Sequence, residues 1–220
     1  HYRDRRQRQM CIRDRSKCRF IRMMYSQDSF SFISEKMPSN LYQELLSYTQ
    51  RRRKEETWNY NDKLAGALEQ QSSLSDWSPQ FEKYVVGLST QLWSQVYQTC
   101  PWDFQEVKDV TPFIRLRNLW VNYQKQYEYN PIHTHTGIVS FVIFTDIPYG
   151  SEERESHDSN GAFQLEADVL PVDKTWNGVI LMFPSTTKHA VYPFKSTQKE
   201  RVTVSGNLIW NVEGVDEEHY

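Results

Sequence analysis

The sequence predicts a mainly β fold of the α+β class, a double-stranded jelly roll with a helical layer formed by the N-terminal third. Two observations predict it. Apolar residues recur at three- and four-residue steps before Pro101, and short segments rich in β-branched and aromatic residues follow it. The chain has 220 residues, of which 14% are aromatic, and this length suits one domain with a substantial core.

Six predicted strands make up the β-rich part. Each is rich in β-branched and aromatic residues, and Gly, Pro, Asn, Asp or Ser separates it from the next. They span residues 113–129, 137–147, 161–169, 179–183, 190–194 and 201–210. This succession of short strands is what a jelly roll or a related barrel requires.

The first predicted helix spans residues 38–53. Ser34 is a candidate cap ahead of it, and apolar residues at helical spacing follow between 41 and 48. The four basic residues at 51–54 are typical of a solvated helix end that complements the helix dipole. This interpretation is favoured over a nucleic-acid patch.

The second predicted helix begins at Ser78-Pro79 and carries its apolar residues at helical spacing between 81 and 96. No apolar run approaches the roughly 18 residues that a membrane-spanning helix needs, so we expect no membrane insertion. The three cysteines have neither metal-ligand nor disulfide-like spacing, which favours a reducing compartment such as the cytoplasm.

Charge is distributed unevenly along the chain. Residues 1–22 hold nine Arg and Lys against Asp4 and Asp14, a charge of +7, which leaves −9 of the total of −2 for residues 23–220. We interpret residues 1–22 as a basic leader that is non-native or disordered, with a nucleic-acid-binding arm as the alternative. The acidic remainder disfavours broad nucleic-acid binding.

Three histidines are candidate ligands of one metal ion. His133 and His135 are two residues apart, so on a strand both side chains point to the same face. His189 follows far along the chain, at the start of a later strand. Two ligands from one strand end and one from a distant strand leave open positions on an ion, as oxygen activation requires, and we expect iron(II).

Arg201 opens a predicted strand twelve residues after His189. Val202 and Val204 alternate with Thr203, which would place Arg201 and Thr203 on one face. An arginine at the head of an inward-facing strand needs a carboxylate partner, and its guanidinium fork suits a dicarboxylate ligand.

Three blocks in this order resemble the 2-oxoglutarate/iron(II)-dependent dioxygenases, in particular their branch from marine phages and bacteria. The blocks are residues 119–144 with the Asn130-Pro-Ile-His-Thr-His-Thr-Gly137 run, residues 178–185 followed by His189, and residues 201–207. The resemblance implies a double-stranded β-helix, iron(II) and 2-oxoglutarate as cofactors, and hydroxylation with dioxygen that releases succinate and carbon dioxide.

The resemblance also assigns roles to single residues. His133 and His189 match the two histidine ligands, and Arg201 matches the residue that binds the distal carboxylate of 2-oxoglutarate. Thr203 stands where many members have a hydroxyl on the same carboxylate. These assignments make all four residues candidate site residues.

Two points stay open at this stage. The family pattern has Asp or Glu where this chain has His135. Either His135 is the third ligand, or a carboxylate such as Glu128 or Asp146 completes the site, or the ion is another first-row metal; we favour direct ligation by His135. Asn122 and Gln124 either hydrogen-bond 2-oxoglutarate or face solvent.

The resemblance implies one oxygenase-like domain over residues 23–220, with a helical part at 34–100 and a jelly-roll part at 112–211. We expect it in the cytoplasm of a bacterial cell or a phage-infected host, acting on a small-molecule or peptidyl substrate. Two other functions compete: a cupin-type three-histidine metalloenzyme without 2-oxoglutarate, and a non-catalytic jelly-roll binding module.

Overall fold

The computed structural model describes residues 32–55, 67–99 and 114–210, so the proposed leader at 1–22 lies outside the described residues. The elements follow in chain order. They are β1 (Ile33–Lys36), α1 (Ser39–Lys54), β2 (Gln71–Ser73), α2 (Pro79–Thr99), β3 (Ile114–Gln124), β4 (Asn130–His133), β5 (Val139–Asp146), β6 (Phe163–Leu165), β7 (Asp168–Leu170), β8 (Val179–Pro184), β9 (His189–Val191) and β10 (Arg201–Trp210).

Two antiparallel sheets form the β-domain. The larger sheet has the strand order β1-β8-β5-β10-β3-β2, and the smaller has the order β4-β9-β6-β7. Strands distant in sequence therefore lie side by side, and β10 runs between β5 and β3 in the larger sheet. This arrangement is the double-stranded β-helix, and the predicted fold class is confirmed.

Alternation along the strands divides the core into two layers. On β5, Phe141 and Ile143 pack toward the helices, whereas Val142 and Phe144 pack against residues of the smaller sheet such as Phe163. Successive side chains of a strand point to opposite faces, so the larger sheet is buried on both sides. The helices cover its outer face, and the smaller sheet covers its inner face.

The N-terminal part differs from the prediction at its start. Ser34 lies inside β1, opposite Leu181 of β8, and does not cap α1. The helix begins instead at Ser39 after Pro38, without a side-chain cap. Ser34 pairs with β8 through its backbone, so the predicted cap residue is part of the sheet. The strands β1 and β2 were missed because three or four residues are too short to show a period.

The basic residues at the end of α1 form more contacts with the rest of the protein than predicted. Arg52 is buried and donates a 2.7 Å hydrogen bond to Glu55, so the expectation of a solvated end is wrong for this residue. Arg53 donates two hydrogen bonds, of 2.9 and 2.7 Å, to the carboxylate of Glu200. The end of α1 is thereby tied to the residue that precedes β10.

The second helix matches its prediction. It begins at Pro79, and the hydroxyl of Ser78 accepts a 3.2 Å hydrogen bond from the backbone N–H of Phe81. Neither described helix combines the length and the apolar character that crossing a bilayer requires.

Tyr48 joins α1 to the segment between β2 and α2. Its hydroxyl accepts hydrogen bonds from the backbone N–H groups of Ser75 (3.1 Å) and Asp76 (2.9 Å). Tyr48→Phe removes the acceptor of both groups, and we expect the free energy of unfolding to fall by about 1–3 kcal/mol in urea denaturation. The control is Tyr127→Phe at an exposed site, where no change is expected. Equal stability of the two variants would contradict this role of Tyr48.

Candidate metal centre and active site

Three histidine side chains converge at one end of the space between the sheets. His133 ends β4, His189 begins β9, and the two are directly opposite each other in the antiparallel pair. His135 follows β4, and its backbone N–H donates a 2.9 Å hydrogen bond to the carbonyl of Ser185 after β8. One potential ligand atom from each ring lies within 4.8 Å of the others.

Backbone carbonyls orient two of the imidazoles. The Nδ1 atom of His133 lies 2.7 Å from the carbonyl oxygen of Pro131, and that of His189 lies 3.0 Å from the carbonyl oxygen of Thr187. A carbonyl oxygen only accepts, so Nδ1 carries the proton in both rings and Nε2 keeps its lone pair. This tautomer is the one that metal-ligating histidines use when Nε2 is the ligand atom.

Burial keeps the three imidazoles uncharged. It is the main cause that lowers the pKa of His135 to about 3 and of His189 to about 4. The neighbouring rings contribute as well: His189 and His133 lower the pKa of His135, and His133 lowers that of His189. The pKa of His133 is also lowered, chiefly by burial, against the opposing effect of its hydrogen bond to Pro131. At neutral pH the cluster offers neutral nitrogen donors.

Aromatic rings hold the imidazoles in place. Phe163 stacks on His189 with 5.8 Å between the ring centroids, and Phe183 contacts the same ring at 4.9 Å. Trp120 meets His135 edge-on at 5.5 Å. Trp120 also lines the cavity beside the histidines.

Arg201 is the most completely buried charged side chain near the cluster, at 1% exposure. Its Nη1 donates to the hydroxyl of Tyr149 (3.1 Å) and to the carbonyl of Gly161 (3.0 Å). Its Nε and Nη2 have no partner among the described residues, and its Cζ atom lies over the ring of Phe144, 5.8 Å from the centroid. A buried guanidinium without a carboxylate is costly, so the site has the capacity to bind an anion.

Tyr149 and Gly161 fix the position of this guanidinium. The Tyr149 hydroxyl donates a 2.8 Å hydrogen bond to the carbonyl of Gly161, and it accepts from Arg201. Gly161 has a φ of 68°, and a Cβ atom there would lie 2.7 Å from the Tyr149 ring. Only glycine allows this approach.

The predicted polar residues lie in the same cavity. Asn122 of β3 lies opposite Thr203 of β10, and its Nδ2 donates to the Thr203 hydroxyl (3.2 Å). The Nε2 atom of Gln124 donates to the carbonyl of Glu128 (2.6 Å). Asn122 and Gln124 are 9% and 3% exposed, so the alternative that they face solvent is wrong.

A cavity of about 180 Å³ contains all seven candidate residues in its wall. They are Asn122, Gln124, His133, His135, His189, Arg201 and Thr203. No Asp or Glu of the described residues lines it. Its remaining wall is aromatic, aliphatic or neutral and polar.

Neither carboxylate proposed as a substitute for His135 reaches the cavity. The carboxylate of Glu128 accepts hydrogen bonds from the backbone N–H groups of Lys125 (2.7 Å) and Glu69 (3.0 Å). Asp146 is exposed at the end of β5. The arrangement therefore leaves His135 as the third potential ligand.

Sequence reasoning missed Tyr149 and Gln71. Gln71 lies on β2, and its Nε2 donates a 2.6 Å hydrogen bond to Oδ1 of Asn122. The Pro-Tyr-Gly run at 148–150 was the only available signal for Tyr149, and it indicates a turn. Gln71 had no signal, since β2 is too short to show alternation.

Gly161→Ala should destabilise the fold and disturb the guanidinium. The added methyl group meets the Tyr149 ring and the backbone is left-handed, so we expect the free energy of unfolding to fall by about 1–3 kcal/mol in urea denaturation. The control is Gly87→Ala, because a Cβ atom at this helical position meets nothing within 4 Å. We expect that variant to be as stable as wild type or more stable. A Gly161→Ala protein of unchanged stability would contradict the steric argument.

The buried histidines should make stability depend on pH. Their pKa values are lower in the folded than in the unfolded chain, so the unfolded chain takes up protons first as pH falls below about 6.5. The stability of the metal-free protein is thus full above that pH and is lost toward pH 4. We expect His135→Gln to reduce the difference in unfolding free energy between pH 7 and pH 5. The same substitution at the exposed His157 is the control for loss of a histidine outside the cluster. Identical pH dependence in wild type and His135→Gln would refute the neutral, buried state.

Comparison with known proteins agrees with the fold and with the motif. Residues 118–207 match the sequence model of a family described as "Putative 2OG-Fe(II) oxygenase". No curated protein sequence matches the chain. The comparison of the fold with solved structures finds a Pseudomonas putida prolyl-4-hydroxylase, with a TM-score of 0.53 and 15% identity over 82% of this chain and 93% of that one.

A second similar structure is AviO1 from Streptomyces viridochromogenes Tue57, with a TM-score of 0.51 and 12% identity over 82% of this chain and 90% of that one. At these low sequence identities, the two structures show that this chain shares their fold. The sequence match over residues 118–207 contains the histidines, Arg201 and Thr203. The part of the chain that contains these residues is thus similar in sequence to the 2OG-Fe(II) oxygenase family, and it lies within a double-stranded β-helix.

Proposed function

We propose that this protein is a 2-oxoglutarate- and iron(II)-dependent hydroxylase in which His133, His135 and His189 bind the metal. In this proposal Arg201 binds the distal carboxylate of 2-oxoglutarate. One observation carries it: a fully buried guanidinium, with no carboxylate partner among the described residues, lines the same cavity as three neutral imidazoles.

The donor set fits a first-row divalent ion. Imidazole nitrogens ligate iron, zinc and copper, and three of them leave room for further ligands on an ion that prefers six. When bound, iron(II) and 2-oxoglutarate supply the oxidising chemistry of the family, in which one oxygen atom of dioxygen enters succinate and the other enters the substrate. Carbon dioxide is the further product. The substrate is a small molecule or a peptidyl group.

The residues of the chain supply binding and orientation. Arg201 donates its two unpartnered N–H positions to the far end of the dicarboxylate, and Tyr149 and Gly161 keep the guanidinium aimed at it. Thr203 places a hydroxyl on the same wall. The rings of Trp120 and Phe163 restrict water around the imidazoles, which strengthens each polar contact.

A three-histidine enzyme without 2-oxoglutarate is the main alternative. The donor set favours it, because no carboxylate of the described residues lines the cavity. Arg201 opposes it, since nothing in that alternative compensates the buried charge. Binding of the dicarboxylate distinguishes the two functions.

The decisive measurement is the weak visible charge-transfer band that appears when iron(II) and 2-oxoglutarate are added without oxygen. We expect the band with wild type, its loss in His189→Ala, and a weakening of at least tenfold in 2-oxoglutarate affinity in Arg201→Met. Loss of a charge-assisted contact is worth about 1.5–3 kcal/mol, which corresponds to that factor or more. His157→Ala, at an exposed histidine, is the matched control.

Other results would reject the proposal. A wild-type protein without the band, or a band of full strength in both variants, rules out this binding mode. Metal binding without 2-oxoglutarate binding would favour the three-histidine alternative. His135→Ala and His135→Asp separate ligation from packing, because only the second keeps a ligand; we expect it alone to retain iron.

A further inference from the structure

A chain of buried and partly buried hydrogen bonds runs from β2 into the cavity wall. Gln71 Nε2 donates to Asn122 Oδ1 (2.6 Å), and Asn122 Nδ2 donates to Thr203 Oγ1 (3.2 Å) and Ser205 Oγ (3.3 Å). Asn122, Thr203 and Ser205 line the cavity, whereas Gln71, at 1% exposure, lies behind them. Gln71 also lies outside the residues 118–207 that match the family.

The side-chain amides of Gln71 and Asn122 could form this chain of hydrogen bonds in either of two orientations, with the oxygen and NH2 positions exchanged. Burial of Gln71 favours one of them. In the observed direction, Oε1 is the only side-chain polar atom of Gln71 without a partner among the described residues. With both amides reversed, the NH2 group of Gln71 would occupy that position, and two buried N–H donors would lack acceptors. A buried N–H without an acceptor is rarer than a carbonyl oxygen without a donor. Gln71 therefore holds Asn122 with its NH2 group toward β10.

This direction determines where two hydroxyl protons go. Thr203 and Ser205 each accept from Asn122, so each still has its own O–H to donate. In the described part of the chain neither O–H has a protein acceptor. Both hydroxyls belong to the cavity wall that also contains Arg201. An anion in the cavity is the available acceptor.

We propose that Gln71 is a positioning residue that acts through Asn122, so that the hydroxyls of Thr203 and Ser205 donate to the distal carboxylate of the dicarboxylate. This inference rests on the proposed function, because it needs a dicarboxylate in the cavity. It adds a residue of the N-terminal part to the binding site. It also means that the preference of the cavity for ligands with a distal carboxylate depends on the orientation of the Asn122 amide.

The effect should depend on the distal carboxylate of the ligand. 2-Oxobutyrate has the keto acid group of 2-oxoglutarate but no distal carboxylate, so it does not use the two hydroxyls. In Gln71→Glu the carboxylate at position 71 only accepts, which favours the reversed direction of Asn122. The hydroxyls then donate to Asn122 Oδ1 and turn away from the ligand.

The experiment is calorimetric titration of the Mn(II)-loaded protein with each ligand. We expect Gln71→Glu to bind 2-oxoglutarate at least about tenfold more weakly and 2-oxobutyrate within about twofold of wild type. Gln91→Glu, an equal charge change at an exposed position of α2, is the control and should bind both ligands like wild type. An equal loss for both ligands, or no loss for 2-oxoglutarate, overturns the inference.

A second variant, Gln71→Met, introduces no charge and tests the inference if Gln71→Glu does not fold. Gln71→Met should weaken 2-oxoglutarate binding in the wild-type background but not in a Thr203→Val/Ser205→Ala background, because the hydroxyls it orients are absent there. Additive effects in this cycle overturn the role of Gln71. Wild-type protein that binds no 2-oxoglutarate refutes the proposed function, and this inference with it. Wild-type binding with unaltered variants refutes the inference alone.

Discussion

Strand β10 is the constraint on which the rest of the molecule depends. It lies between β5 and β3, and its alternation sends Val202 and Val204 toward the helices and Arg201 and Thr203 into the cavity. A shift of its register by one residue would put the guanidinium into the apolar layer and the valines into the site. The packing of the core and the lining of the cavity therefore depend on the same ten residues.

The neighbours of β10 reinforce that register from both sides. The bidentate contact of Arg53 with Glu200 fixes the residue before Arg201, and Asn122 faces Thr203 across the β3 pairing. The helical part thus contributes more than a cover for the sheet. It contacts the start of β10 from α1 and reaches the cavity wall from β2.

Much of the site could be predicted from the sequence because it depends on short-range geometry. His133 and His135 are close together because only one residue separates them, although β4 ends at His133 and His135 is positioned by its backbone contact with Ser185. The alternation after Arg201 fixes which residues of β10 accompany it in the cavity wall. The strands β1 and β2 and the residue Gln71 depend on pairings between distant segments, which leave no period in the sequence. The expected cap at Ser34 failed for the same reason, since pairing with β8 outweighs a local hydrogen bond.

Charge explains why the missing carboxylate is compatible with the proposed chemistry. With Asp or Glu in place of His135, a divalent ion and Arg201 would leave a net charge of about +2 in the cavity, which a dianionic dicarboxylate balances. With three imidazoles that charge is about +3, so the metal alone is held less favourably and the dianion is attracted more strongly. Binding of the metal and of the dicarboxylate are then coupled, and by linkage each strengthens the other equally. In the proposed function, a histidine instead of a carboxylate at position 135 therefore makes the affinity for metal depend more strongly on the bound dicarboxylate.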